Sequence, residues 1–472
     1  MNEYSSLPER PSLEQLRNQA RDLQRSGAVP KLIDAQREVA RRYGFASWAR
    51  LKRHVETLLG LKSQIDAFAD AAIAGRLGDA DAMLAANPVI REAPEVIALS
   101  GDVERIAQVD PLAAFGSRGW TALLYVCFSR YNGRDDRRPA LAACAENLLE
   151  RGADPSAFWI NAQFPEPPET CAYGVCGFNN HPAILRLLLD AGANPDDGEA
   201  MYHGCELGDL EGLRLLLEAG GNPKRWNTLP RMLDHEKPKG LRLVLDHWGG
   251  PDEGMARGFH HALIRGRGPW ATRILLEYGA DPNVQIDGVT AYARALLLNR
   301  DDHAALMREH GAVKPLSEAE HFLAACVRHE PWEGPPPGIP SDLQWVLAMT
   351  AGLGNVPALA RMLDAGMPID SRGEGDRTAL TYAAISGQVE AVRFLIQRGA
   401  DLEAKDRWYG GTPLSFALYC NAHERDPHGD YLGVCEALLA AGAICGTEWA
   451  DEQTRQDPVM RDLLRRFGVP LR

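Results

Sequence analysis

Leu215-Leu216-Leu217-Glu218-Ala219-Gly220-Gly221-Asn222-Pro223 decides how this chain is read, because the stretch keeps returning. The same order of leucines, glycine and proline stands at Leu148 to Pro155, Leu187 to Pro195, Leu243 to Pro251 and Leu275 to Pro282. Weaker copies follow at Met307 to Pro315, Met362 to Asp370, Leu395 to Ala404 and Leu438 to Ile444. From Pro155 through Pro195, Pro223, Pro251 and Pro282 the intervals are 40, 28, 28 and 31 residues. A period near thirty is the mark of a repeat array. In each copy the leucines share one face of a helix that a single unit cannot bury alone. Glycine then supplies the left-handed turn that ends the helix, and proline forbids its continuation. A second short apolar helix lies upstream, as in Met201 to Leu207 before Gly208-Asp209 and Leu380 to Ile385 before Gly387-Gln388. The unit is turn, helix, turn, helix, loop.

Thr378-Ala379-Leu380-Thr381-Tyr382-Ala383-Ala384, with Gly387 and Leu395 to Ala404 behind it, resembles an ankyrin repeat, and so does Gly411-Thr412-Pro413-Leu414-Ser415-Phe416-Ala417. Thr381 and Ser415 take the place of that repeat's histidine. His203 and His260 are expected to fill it in their own units, each bonding backbone between neighbouring repeats. The resemblance implies an all-α ankyrin-repeat solenoid of roughly 11–12 units, several degenerate, between about residues 65 and 467. The expected division is a helical cap at 1–62, a first block of repeats with long inserted loops at 63–316, and a second block at 317–472. Val459 to Phe467 closes the second block as an amphipathic helix.

The composition is that of an ordinary globular protein, 45% hydrophobic and 24% charged. Nine cysteines form no CxxC pair, as expected of reduced thiols in a cytoplasmic protein. The polar start, Met1 to Pro11, does not read as a signal peptide, and no apolar run is long enough to suggest a membrane span. Net charge is -13, unevenly spread: residues 1–62 hold twelve Lys/Arg against seven Asp/Glu, and the rest hold 39 against 57. An acidic array repels phosphate, so nucleic acid is not an expected partner.

The basic head opens with a capped helix at Ser12 to Arg25, then helices from Lys31 to Arg42 and from Trp48 to Leu58. Its ending, Tyr43-Gly44-Phe45-Ala46-Ser47-Trp48 through Glu56, resembles the N-terminal segment of many bacterial ankyrin-repeat proteins of unassigned function. Tyr43, Phe45 and Trp48 either cover the open end of the first repeat or form a docking module. Residues 66–109 carry two abbreviated units. After Pro155 an excursion to about residue 180 brings Phe158, Trp159, Phe164, the prolines within Pro165 to Pro168, and Tyr173. Such insertions are commonly where partners bind, although this one could also fold back as a lid. Pro331 to Pro340 holds five prolines and is either a joint between two halves or a finger within one continuous stack.

No zinc-ligand spacing, GxSxG, P-loop, HExxH or dinucleotide GxGxxG stands in its required context, so no metal or cofactor is implied. Glu199, Tyr202, His203, Cys205 and Glu206 crowd one helix start, but neighbours one and two apart on a helix face different ways. The expected function is a non-enzymatic scaffold binding an unidentified basic or neutral protein in its concave groove, without nucleic acid or membrane. Its contact residues would be Trp120, Tyr125, Phe158, Trp159, Tyr202, His203, Trp408 and Tyr409, aromatics of the kind that concentrate binding energy. The competing expectation is an enzyme or small-molecule binder, with a pocket over residues 120–262 closed by the 156–180 loop.

Overall fold

The computed structural model describes residues 7–8, 11–163, 166–423, 426–446 and 457–471. Phe164 and Pro165 of the expected excursion lie outside these described residues. By internal contacts the chain forms two compact units, Met1–Thr228 and Leu229–Arg472. It is mostly helical. The named strands are two-residue pairs at loop tips: Ala114–Phe115 with Trp120–Thr121, Phe158–Trp159 with Glu169–Thr170, and Gln285–Ile286 with Val289–Thr290.

Within each unit the helices come in hairpins. Unit one contains Ala122–Phe128 with Arg138–Glu150, and Gly198–Gly204 with Glu211–Glu218. Unit two contains Glu253–Ile264 with Pro269–Glu277, Ala291–Leu297 with Asp301–Glu309, Trp345–Gly352 with Val356–Asp364, and Ala379–Ile385 with Val389–Gln397. First helices pack on first helices and second on second, as Trp345–Gly352 does on Ala379–Ile385 and Val356–Asp364 on Val389–Gln397.

Three devices recur among the hairpins, although helix Trp345–Gly352 starts without a side-chain cap. A capping side chain starts the first helix: Thr121, Thr170, Asp197, Asp252, Thr290, Thr378 and Thr412 each accept the N–H three residues on, at 2.8 to 3.5 Å. Such a cap contributes about 1 kcal/mol. A left-handed glycine ends the second helix, with φ of +91° at Gly152, +97° at Gly192, +102° at Gly220 and +85° at Gly279. At Gly220 the orphaned carbonyls are satisfied by Gly220 N–H to Leu217 (3.1 Å) and Gly221 N–H to Leu216 (2.9 Å). Between these ends Leu213, Leu216 and Leu217 are buried.

Side-chain hydrogen bonds join successive hairpins. Asp196 accepts from the Asn222 N–H (3.2 Å), Asn283 from Val313 (3.0 Å) and Asp370 from Asp401 (3.1 Å). Two histidines also bridge. His181 Nε2 lies 3.2 Å from the Arg138 carbonyl while its Nδ1 caps Ile184 at 3.4 Å. His303 Nε2 lies 3.0 Å from the Arg267 carbonyl, with Thr272 Oγ1 2.7 Å from Nδ1. A carbonyl can only accept, so both rings carry a proton on Nε2, and at His181 the Nδ1 accepts a backbone N–H, which makes that ring neutral. Burial accordingly lowers both pKa values.

His203 and His260 do not have the expected bridging role. The caps that set the register are Asp197 and Asp252, so these histidines stand six and eight residues into their units, well past the third position. His203 instead pairs with Glu199 (3.3 Å) and Glu206 (3.0 Å), and the buried His260 ring has no hydrogen-bond partner on either nitrogen among the described residues.

The head also differs from expectation. Its third helix runs from Trp48 to Ile73 rather than stopping at Leu58, because nothing before Gly75 (φ +80°) breaks it. Tyr43, Phe45 and Trp48 pack against a local core of Leu16, Ala20, Val39, Leu51 and Val55, so these aromatics serve the head itself. The 156–180 segment is only partly an excursion. Cys171–Tyr173 and Gly174–Phe178 form a capped helix that packs on Ala122–Phe128, Pro182–Asp190 and Gly198–Gly204. Residues 331–340 lie inside unit two. Beside them, Asn355 donates to the Val327 carbonyl (3.0 Å) and Arg361 to the Ala325 (3.0 Å) and Glu330 (2.8 Å) carbonyls, an arrangement unlike a free joint.

Two predictions follow. Leu216→Asp places an unpaired charge between hairpins and should cost several kcal/mol in urea unfolding; an unchanged midpoint would contradict the packing. The second concerns pH. Both bridging histidines have folded pKa values below the ordinary 6.5, so their stabilisation is present above that pH and is lost as pH falls. The urea midpoint should therefore drop between about pH 7.5 and 5.5, less steeply in a His181→Gln/His303→Gln variant. Identical slopes would rule out the bridging role.

Candidate functional site

In unit one the sequence-predicted residues other than Phe158 fall on one aromatic strip. Trp120 contacts Tyr125 and Phe128 (ring centroids 5.3 Å each) and Trp159 (5.0 Å). Phe128 leads on to Tyr173 (6.0 Å), and Tyr173 to His203 (5.3 Å), which meets Tyr202 at 5.0 Å. The strip forms because successive hairpins present residues from the same stretch of their first helices. Its members differ in exposure. Trp120 and Tyr125 are 4% and 1% exposed, and the Tyr125 hydroxyl donates to the Phe115 carbonyl (3.0 Å). These two are core and offer no contact surface, a correction that follows from their inward place beside the caps. Phe158 is 56% exposed at the hairpin tip, and Trp159, Tyr202 and His203 are half-buried.

The Glu199, His203 and Glu206 side chains form a triad, and burial raises the Glu199 pKa. Cys205 does not face them as a nucleophile would. It is fully buried, and its thiol donates to the Met201 carbonyl at 3.1 Å. Among the described residues no three His, Cys, Asp or Glu side chains gather as metal ligands would. Nor is any described helix long and apolar enough to cross a membrane.

In unit two Trp408 and Tyr409 are 49% and 68% exposed on the loop before helix Pro413–His423. The Arg377 guanidinium lies 5.1 Å from the Trp408 ring and 4.7 Å from Phe416, and Arg407 N–H donates to the Gly375 carbonyl (2.8 Å). Successive loop tips are thus tied together, with their aromatics held outward.

Unit two also holds a cavity of about 500 Å³ that the sequence did not disclose. It is lined by His260, Arg294, Trp345, Met349 and Tyr382 from four first helices. Exposed residues surround its mouth, among them Asp287, Asp342 and Glu374. This cavity overlaps the range 120–262 anticipated for a small-molecule pocket only at residues 229–261, extends to Tyr382, and has no lining residue from the 156–180 loop. The available signal was Arg294, an arginine inside an otherwise apolar Ala291–Leu297 helix.

Comparison with known proteins places ankyrin repeats (3 copies) at residues 345–447. The matched region contains the hairpins Trp345–Gly352 with Val356–Asp364 and Ala379–Ile385 with Val389–Gln397, followed by Pro413–His423 with Tyr431–Ala440. Over 73 residues the chain is 36% identical to serine/threonine-protein kinase 12 of Arabidopsis thaliana, covering 16% of each chain. It is 37% identical over 92 residues to the mitochondrial liver isoform of glutaminase from Mus musculus, covering 18% of this chain and 15% of that protein. It is 38% identical over 69 residues to potassium channel KOR2 of Oryza sativa subsp. japonica, covering 15% and 10%. The chain thus spans only a small fraction of these relatives. The chain carries ankyrin repeats at residues 345–447, and ankyrin repeats are general protein-interaction modules.

The two kinds of aromatic should respond differently to truncation. Trp120→Ala should cost about 3–5 kcal/mol in denaturant unfolding, as for a buried tryptophan. Trp408→Ala should stay within about 1 kcal/mol of the parent. Equal losses would mean that the strip and the loop tip do not differ as described.

Proposed function

We propose that the chain is a non-enzymatic ankyrin-repeat scaffold that binds another protein through its loop tips and the adjoining groove. The observation that carries this reading is the ankyrin match at residues 345–447, with Trp408 and Tyr409 projecting from a loop within it. The same capping residues, glycine turns and inter-hairpin hydrogen bonds recur from residue 121 onward, which supports extending the repeat over 63–316 as a solenoid. The kinase, the glutaminase and the channel are named for unrelated activities yet share short stretches with this chain, which supports a shared binding module rather than a shared reaction.

In unit one the contact surface comprises Trp159, Tyr202 and His203, the half-buried part of the strip, together with Phe158 exposed at the hairpin tip. Trp120 and Tyr125 support it from below. A net charge of -13 favours a basic or neutral partner, with association that slows as salt rises. The free cysteines, all buried except the partly exposed Cys445, suit the cytoplasm. The head resembles a segment found in bacterial proteins and, with its own small core, serves as a module fused to the array through helix Trp48–Ile73.

Affinity capture from native lysate followed by mass spectrometry supplies the partner. Trp408→Ala and Tyr409→Ala should then each weaken its binding by about 1–3 kcal/mol while leaving the fold intact. Normal binding by both variants would remove the loop-tip surface from the reading.

A further inference from the structure

The cavity in unit two has a charged floor that its own architecture leaves incomplete. The fourth residue after the capping threonine is aromatic in three hairpins: Tyr125 after Thr121, Tyr382 after Thr378 and Phe416 after Thr412. There it fills space beside its own loop, as when the Tyr382 hydroxyl reaches toward the Glu374 carbonyl (3.5 Å). After Thr290 that position is Arg294, which is 5% exposed.

Among the described residues no hydrogen bond or ion pair holds the Arg294 guanidinium, and its Nε is buried without an acceptor. It rests over the Trp345 ring, 4.2 Å from the centroid. Asp287 and Glu374 act on it only from a distance, and burial pushes its pKa down to about 10. A buried charge without a counter-ion is destabilising, and exposed rim carboxylates, screened by water, offset little of that. Two further groups in the same cavity are also unsatisfied: Trp345 Nε1, a donor, and both ring nitrogens of His260. His260 is neutral, its pKa lowered to about 3 by burial, so it offers one donor and one acceptor.

We infer that this cavity binds a small organic carboxylate, with the carboxylate group against Arg294 and the body of the ligand along Trp345, Met349 and Tyr382. Of the four lining arginines only Arg294 is buried at the floor; Arg257, Arg265 and Arg372 are exposed. Arg257 is already bonded to Glu253 (2.5 Å) and Arg265 to Asp234 (3.2 Å), so neither competes for the ligand. The volume, about 500 Å³, lies within the range of small-molecule sites. A guanidinium suits a carboxylate because two parallel N–H donors match its two oxygens. This site is independent of the protein partner, and loss of that partner reading leaves it standing.

The test uses the full chain with sodium benzoate as the probe and benzamide, the same shape without charge, as its control. Isothermal titration should give saturable benzoate binding with a Kd near or below about 1 mM and no measurable benzamide binding. Arg294→Met should weaken benzoate at least about tenfold, and Arg294→Lys, which keeps the charge but loses the fork, should fall between. The melting temperature of Arg294→Met without ligand separates a binding role from a structural one. It should equal or exceed the parent's, because an uncompensated charge has been removed from the interior. Benzoate binding that is absent, matched by benzamide or unchanged in Arg294→Met would overturn the assignment. So would a melting temperature several degrees lower in Arg294→Met, which would make the arginine a support for Trp345.

Discussion

No helix hairpin in this chain can bury its own leucines. Leu216 and Leu188 have no exposed surface, yet each helix offers them only one neighbour within its own hairpin. For Leu188 the remaining contacts come from helices Arg138–Glu150 and Glu211–Glu218 on either side, so successive second helices must end at the same height and turn the same way. The left-handed glycines at Gly152, Gly192 and Gly220 impose that geometry. Capping by Thr or Asp sets where the next first helix begins, and the side chains of Asp196, Asn283 and Asp370 lock each loop to the one after it. The inserted segments can then vary, because they interrupt none of these three devices.

Much of this is legible in the sequence where the device is a backbone requirement. Glycine after a leucine run and proline behind it leave little conformational choice, so the second helices are readable by inspection. First helices are harder. Thr170-Cys171-Ala172-Tyr173 starts one as surely as Thr378-Ala379-Leu380-Thr381 does, but it lacks the leucine and sits behind a hairpin of its own, so it passes for a loop. Register fails for a similar reason. Asp197 and Asp252 cap where a threonine is looked for, and counting from the wrong residue gave His203 and His260 a bridging role that belongs to His181 and His303. Aromatic residues read as contacts also divide by burial, which depends on neighbours that no local pattern reveals. Trp120 is inside and Trp408 is not.

The head and the cavity show two ways in which a repeat framework takes on something of its own. The head keeps a separate small core and reaches the array through one uninterrupted helix, Trp48–Ile73. The cavity instead uses the array's own positions. Replacing an aromatic with Arg294 at a repeated site introduces a charge that the packing does not require and does not neutralise. Acidic though the chain is, with a net charge of -13, its buried floor at this point is positive. Sites where local rules are broken without internal compensation are where function is expected on a regular scaffold.

The central claim is that one repeat architecture extends beyond the three ankyrin repeats at residues 345–447. Hydrogen–deuterium exchange of the intact protein tests it most directly, because each second helix is read separately and none need be mutated. Comparable protection in Pro182–Asp190, Glu211–Glu218, Pro269–Glu277 and Val389–Gln397, with fast exchange at the loop tips between them, is the expected result. Strong protection confined to the helices of 345–447, with the earlier ones exchanging like frayed segments, would contradict it.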